Sequence, residues 1–192
     1  MKDSEEHIWI QQILNGNKMP FGLIVKKYQQ LVFTIAFRIL GNREDAEDAT
    51  QEIFVKCYRG LRSFNRQSAF ATWLYRIAYN HSIDLVKRKG YIKSTTEWEY
   101  EGLKGIPSEE ATTESEMDLK TIKTLLKDAI ISLPPEHRIL VLLYYYQEMP
   151  LKEIAVVMGM KENNLKIRLH RIRAKLMDQL KMKSEIISIL NL

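Results

Sequence analysis

Apolar residues recur along this chain at helical spacing, and the alternation expected of strands is almost absent, which predicts an all-α protein. A first helix is predicted from about Ser4 to Leu14, stopped by Asn15-Gly16. A second runs from about Pro20 to Leu40, with Phe21, Ile24, Val25, Tyr28, Leu31, Val32, Ile35, Ala36 and Ile39 on one stripe. Gly41 suits the C-terminal cap of that helix and Asn42 the N-terminal cap of the next. The third helix starts with Glu44, Asp45, Glu47 and Asp48, where negative charge meets the positive end of the helix dipole. It continues to about Leu61, with Ala46, Ala49, Ile53, Cys57 and Leu61 sharing a face. Phe64 to Gln67 reads as a loop, after which Ser68 can cap a fourth helix, about Ala69 to Lys89. Its apolar side holds Phe70, Trp73, Leu74, Ile77, Ala78, His81 and Leu85; Arg76, Asn80, Asp84 and Lys87 lie along another side. These four helices are predicted to form one bundle.

A second helical series begins near Leu119. Leu119, Ile122, Leu126, Ala129, Ile130 and Leu133 form a stripe that Pro134-Pro135 ends. A helix from Pro135 to about Gln147 follows, then a short one from Leu151 to Met158, a turn at Gly159, and a longer helix from about Glu162 to Lys181. The apolar tail Ile186–Leu190 is expected to pack on the last domain or a partner. Between the two series, residues 94–118 are rich in Glu, Ser and Thr and include Gly102, Gly105 and Pro107, the composition of a flexible linker. The expected architecture is therefore two helical bundles, 1–93 and 119–192, joined by a linker over 94–118.

Charge reinforces that division. The 192 residues carry a net charge of +5, but residues 1–93 and 119–192 are each +6 and residues 94–118 are −7. Two basic blocks flanking an acidic joint suggest a polyanionic partner. A single cysteine, Cys57, excludes an intrachain disulfide and fits the reducing cytoplasm. No apolar run is long enough to span a bilayer, and the polar, acidic N-terminus does not resemble a signal peptide, so a cytoplasmic location is expected. His7, His81, His137 and His170 are scattered and make no zinc spacing with Cys57. No Gly-rich phosphate loop is present, and the acidic cluster at Glu44–Asp48 lacks the spacing of a calcium loop. Neither a metal, a cofactor, a small-molecule substrate nor enzymatic activity is expected.

Two constellations bear on function. Leu151 to Met158, the Gly159 turn and the following amphipathic helix have the form of a helix-turn-helix. Leu165, Leu169, Ile172 and Leu176 mark the inward face of that second helix; Asn163, Asn164, Ile167, Arg171 and Ala174 lie opposite, flanked by Arg168, His170 and Lys175. Arginine reads guanine and asparagine reads adenine through paired hydrogen bonds in the major groove. An ordinary three-helix bundle with a solvated basic face is the competing interpretation; the glycine turn and basic outer face together favour DNA. The fourth helix of the N-terminal half combines Phe70, Trp73, Tyr75 and Tyr79 with Arg76, Asn80, Lys87, Arg88 and Lys89. That composition suits single-stranded nucleic acid, although Phe70 and Trp73 read first as core.

These motifs resemble those of the extracytoplasmic-function (ECF, group 4) sigma factors of bacterial RNA polymerase, within the sigma-70 family. Leu40-Gly-Asn-Arg-Glu-Asp-Ala-Glu-Asp-Ala-Thr-Gln-Glu-Ile-Phe54 is similar to the polymerase-binding helix of region 2. Phe70-Ala-Thr-Trp-Leu-Tyr-Arg-Ile-Ala-Tyr-Asn80, with Asp84 and Arg88, is similar to its promoter-binding helix. Leu133-Pro134, Arg138 and the helix-turn-helix through Arg168-Leu-His-Arg-Ile-Arg173 are similar to region 4. The resemblance implies that Asp48, Gln51 and Glu52 meet the clamp helices of core RNA polymerase. It places Asn65, Arg66 and Ser68 in a loop that, with Asn80, pockets a flipped base of the minus-ten element, and Arg76, Asp84, Lys87 and Arg88 along the same DNA-facing region. Arg168 and Arg171 fall on the helix that reads the minus-thirty-five element, with Asn163, Asn164, Lys166, Ile167, His170 and Lys175 as further candidate contacts. It implies a stress or envelope-response regulon, control by an anti-sigma factor, and a linker that threads through the polymerase toward the RNA exit. The chain departs from the family pattern at Pro150 and Lys161, where Ser or Thr is usual, at Asn163-Asn164 for a Gly-Thr pair, and at Ile167 for a small residue. A self-sufficient helix-turn-helix regulator is the main alternative, and a purely protein-binding adaptor a second.

Overall fold

A computed structural model describes residues 5–88 and 114–190. In chain order the helices are α1 (Glu5–Leu14), α2 (Pro20–Leu40), α3 (Arg43–Gly60), α4 (Phe70–Arg88), α5 (Glu114–Ile131), α6 (Pro135–Val141), α7 (Leu151–Met158) and α8 (Glu162–Leu190). A 3-10 turn, Leu61–Ser63, follows α3, and a π-helical turn, Leu142–Tyr146, follows α6. No strand occurs among the described residues. Packing divides the chain into two units: Met1–Trp98 with Met149–Met160, and Glu99–Glu148 with Lys161–Leu192.

In the first unit each helix buries the stripe its sequence marks. Ile24, Val32, Ile35 and Ala36 of α2, Ala46, Ile53 and Cys57 of α3, and Leu74 and Ala78 of α4 have no exposed surface. Local chemistry sets the boundaries. Gly41 takes a left-handed conformation (φ 77°) and its N–H bonds the Phe37 carbonyl, ending α2. The Asn42 side chain accepts from the Asp45 N–H at 3.1 Å, starting α3. The Cys57 thiol is pushed up to about 12 by burial, so this cysteine is a packing residue.

Helix α7 also belongs to this unit. Ile154 and Val157 are fully buried, and the buried Thr72 hydroxyl of α4 donates to the Glu153 carboxylate. The sequence pattern instead places α7 with the C-terminal bundle. An amphipathic eight-residue helix cannot shed its apolar face into water, and here α4 covers that face.

The second unit is built on Ala129, Ile130 and Leu133, the run Ile139–Leu143, and Leu165, Leu169 and Ile172. Two boundaries differ from those expected. Helix α5 starts at Glu114, inside the span assigned to the linker; Glu114, Glu116 and Asp118 are favourable in first turns of a helix. The remaining linker residues, 94–113, lie outside the described residues. Helix α8 continues to Leu190, past the expected end at Lys181; the side-chain packing of the apolar tail lies outside the described residues.

Helix α1 is pinned to α2 by a charged cluster. Glu6 accepts from the Lys27 ammonium at 2.6 Å and the Tyr28 hydroxyl at 2.8 Å. Burial opposes the charged carboxylate, but the Lys27 and Tyr28 bonds prevail and hold the Glu6 pKa near 2, against an ordinary 4.5. A depressed carboxyl pKa stabilises the fold above the ordinary value and ceases to do so as pH falls through the native one. Lys27 is 43% exposed, which screens the pair. Glu6→Gln should therefore destabilise the fold at pH 7 by about 1–2 kcal/mol. In chemical denaturation the gap between wild type and variant should narrow between pH 4.5 and pH 2.

Candidate polymerase and promoter interfaces

Helix α3 presents two faces with different duties. Its inward face is small and apolar, with Ala46, Ala49, Ile53 and Cys57 at most 1% exposed. Asp48, Gln51 and Glu52 are all exposed, at a spacing that sets them side by side. The bundle makes no use of Asp48 or Gln51, which have no polar partner among the described residues. Glu52 differs. Its Oε2 lies 3.1 Å from Nε2 of His81 on α4. The other ring nitrogen of His81, Nδ1, is 2.6 Å from the Lys56 ammonium. Burial, and then the Lys56 charge, push the His81 imidazole below its ordinary value, while Glu52 pulls the other way. The ring is therefore neutral near pH 7, with Nδ1 accepting from Lys56 and the proton on Nε2.

Between α3 and α4 the chain turns through Phe64–Ala69. Phe64 packs on Phe70 and Trp73, at ring separations of 5.6 and 5.3 Å. Trp73 also lies over Gly60, where a β-carbon would come within 3.2 Å of the indole. Phe70, Tyr75 and Tyr79 are buried. The aromatic rings of α4 thus serve packing, as the core interpretation of Phe70 and Trp73 expects. The loop they support is exposed at Asn65 and Arg66 and half-buried at Ser68. Asn65 Oδ1 accepts from the Gln67 N–H at 3.3 Å, and Arg66 is left-handed at φ 61°. A non-glycine residue in that region costs about 1–2 kcal/mol, and such strain concentrates at functional sites. On α4 itself, Arg76, Asn80, Asp84, Lys87 and Arg88 are all exposed, along one flank of the helix. The loop and this flank carry every N-terminal DNA candidate on one continuous stretch of chain.

In the second unit, Leu165, Leu169 and Ile172 turn α8 inward. Asn163, Asn164, Lys166, Ile167, His170, Arg171 and Lys175 are exposed, and Ile167 remains 52% exposed. The arginines are not equivalent. Arg168 is half-buried and donates to Glu136 of α6 at 2.7 Å. Arg173 donates from Nε to the Tyr145 hydroxyl and stacks its guanidinium near that ring. Arg171 has no polar partner among the described residues. Of the arginines of α8, it alone is uncommitted. No group of three metal-binding side chains occurs among the described residues.

The family model for sigma-70 region 2 matches residues 24–91, and that for region 4 matches residues 107–176. The chain is 32% identical to the ECF RNA polymerase sigma factor SigW of Bacillus subtilis, over 90% of this chain and 95% of that protein. This chain belongs to the ECF family of RNA polymerase sigma factors. It is also 33% identical to the ECF sigma factor SigE of Mycolicibacterium smegmatis, over 82% of this chain and 60% of that protein. In fold it is similar to the sigma factor RpoE of Bartonella quintana, solved with the anti-sigma factor NepR, at a TM-score of 0.62 and 19% identity, covering 84% of this chain and 96% of that one. An ECF sigma factor is a transcription initiation factor, not an enzyme: it binds core RNA polymerase and directs it to promoters. Matches to both regions in family order disfavour a stand-alone regulator.

The pairings of this ECF factor are what its sequence motifs leave unsaid. Glu136 with Arg168, Tyr145 with Arg173 and Lys56 with His81 each join different elements, and no local spacing announces them. The first has a direct consequence. Arg168 braces α8 against α6, so Arg168→Ala and Glu136→Ala should each lower stability by about 0.5–1 kcal/mol, given that both groups are partly exposed. Thermal melts of the two single variants and the double variant should show losses that do not add.

Proposed function

We propose that this sigma factor divides its work among three exposed surfaces. Asp48, Gln51 and Glu52 of α3 dock on core RNA polymerase. Asn65, Arg66, Ser68, Arg76, Asn80, Asp84, Lys87 and Arg88 meet the melted minus-ten strand. Asn163, Asn164, Lys166, Ile167, His170, Arg171 and Lys175 face the minus-thirty-five duplex, and Arg168 supports them from its bond to Glu136. The single observation that carries this reading is the surplus of polar side chains. Each of α3, α4 and α8 buries one apolar stripe and leaves an exposed polar strip at helical spacing. In functional terms the chain reads as region 2 over 1–93 and region 4 over 119–192, joined by the span 94–118, whose last turn is already the start of α5 at Glu114.

Two further elements complete the reading. The factor acts in the cytoplasm, alongside the core RNA polymerase that ECF sigma factors bind. It is held inactive by an anti-sigma factor until a stress or envelope signal releases it. The similar folds solved with partners support this: the Bartonella RpoE with NepR, and CnrH with the cytosolic domain of CnrY, the latter at a TM-score of 0.60 and 24% identity.

Duplex and single-strand recognition separate in time. Arg171→Ala should weaken closed-complex binding by about 1–3 kcal/mol, the worth of a paired base contact. Asn80→Ala should leave upstream binding nearly intact and reduce strand opening and minus-ten base preference. Permanganate footprinting beside closed-complex titration measures both; an Arg171→Ala variant that binds closed promoters normally contradicts the assignment.

A further inference from the structure

Buried polar atoms in a folded protein are almost always hydrogen-bonded, and an exception calls for a physical reason. His81 Nε2 is such an exception. The ring is 5% exposed, and the nitrogen has no surface open to water. Glu52 Oε2 stands 3.1 Å away, yet the approach does not complete a hydrogen bond. The ring cannot reorient freely, because Nδ1 is held at 2.6 Å by Lys56 and α3 and α4 enclose it. Glu52, by contrast, is 61% exposed and able to rotate. The donor is fixed and the acceptor is mobile.

We infer that His81 is a positioning residue for polymerase binding: its buried Nε2–H locks the Glu52 carboxylate into one orientation when α3 docks on the core enzyme. This rests on the assignment of Asp48, Gln51 and Glu52 to the polymerase-binding strip. A glutamate on an exposed helix face loses side-chain freedom when a partner immobilises it. A preset donor behind the carboxylate offsets that cost, because it gives the docked rotamer a hydrogen bond that other rotamers lack. Lys56 sets the tautomer, because its ammonium must find an acceptor at Nδ1 and so leaves the proton on Nε2. Asp84 and Arg88 also face the ring from α4, with opposite charge, and Lys56 and Glu52 face it from α3. His81 directly follows Asn80, so the same turn of α4 that is proposed to read the promoter also holds the polymerase-facing carboxylate.

The test is a titration of full-length protein against purified core RNA polymerase, with helicity followed by circular dichroism. His81→Leu should weaken core binding roughly fivefold to thirtyfold, the loss of one hydrogen bond to a charged group. His81→Gln, whose amide N–H reaches the Nε2 position, should recover affinity to within about twofold of wild type. His81→Asn, whose amide reaches only the Nδ1 position, should not recover it. That polar pair keeps the test valid if His81→Leu fails to fold. In a Glu52→Ala background the His81 substitutions should have no further effect on affinity, whereas a merely structural role predicts losses that add. Additive losses, or equal affinity for the Gln and Asn variants, overturn the proposal. Unchanged affinity of Glu52→Ala alone overturns the assignment of the strip, and the role of His81 with it.

Discussion

Burial of one stripe on each of α2, α3 and α4 is the constraint on which the rest of the first unit depends. Ile24, Val32, Ile35, Ala46, Ile53, Cys57, Leu74 and Ala78 are removed from water almost completely. At about 25 cal/mol per Å² of apolar surface, such burial dominates the free energy of folding. It also fixes the rotation of each helix about its own axis. Once Ala46, Ala49, Ile53 and Cys57 face inward, Asp48, Gln51 and Glu52 have no choice but to face outward. The same holds for Arg76, Asn80 and Asp84 once Leu74 and Ala78 are buried. The exposed polar strips are thus by-products of core packing, which sets the direction in which each helix presents them.

Small residues let charge and packing coexist. Gly60 leaves room for the Trp73 ring, which supports Phe64 and with it the exposed loop Asn65–Ser68. Arg66 holds a left-handed conformation there, so the loop carries local strain that the aromatic cluster beneath it sustains. In the second unit the arginines differ: Arg168 and Arg173 hold α8 through Glu136 and Tyr145, whereas Arg171 has no polar partner among the described residues.

Much of this was legible in the sequence because it is local. The stripe of α2, the Gly41 cap, the Asn42 cap and the Gly159 turn each follow from residues within one or two turns of one another, and the structure places them where the pattern does. The exposed strips were legible for the same reason, being the complement of the apolar stripes. What sequence did not announce depends on distant neighbours. Nothing in residues 149–160 says which helix covers Ile154 and Val157, and α4 does so through Thr72 and Glu153. Nothing near Arg168 distinguishes a brace from a DNA contact. His81 reads as one more inward position on α4, and only its approach to Glu52 and Lys56 gives it a role.

This chain recognises promoters as part of an RNA polymerase holoenzyme. The most direct measurement compares promoter binding by the full-length protein with and without purified core RNA polymerase, at matched salt. Sequence-specific binding and strand opening that require the core enzyme are the predicted result. Tight, sequence-specific binding to duplex DNA by the protein alone, unchanged on adding core enzyme, would contradict it.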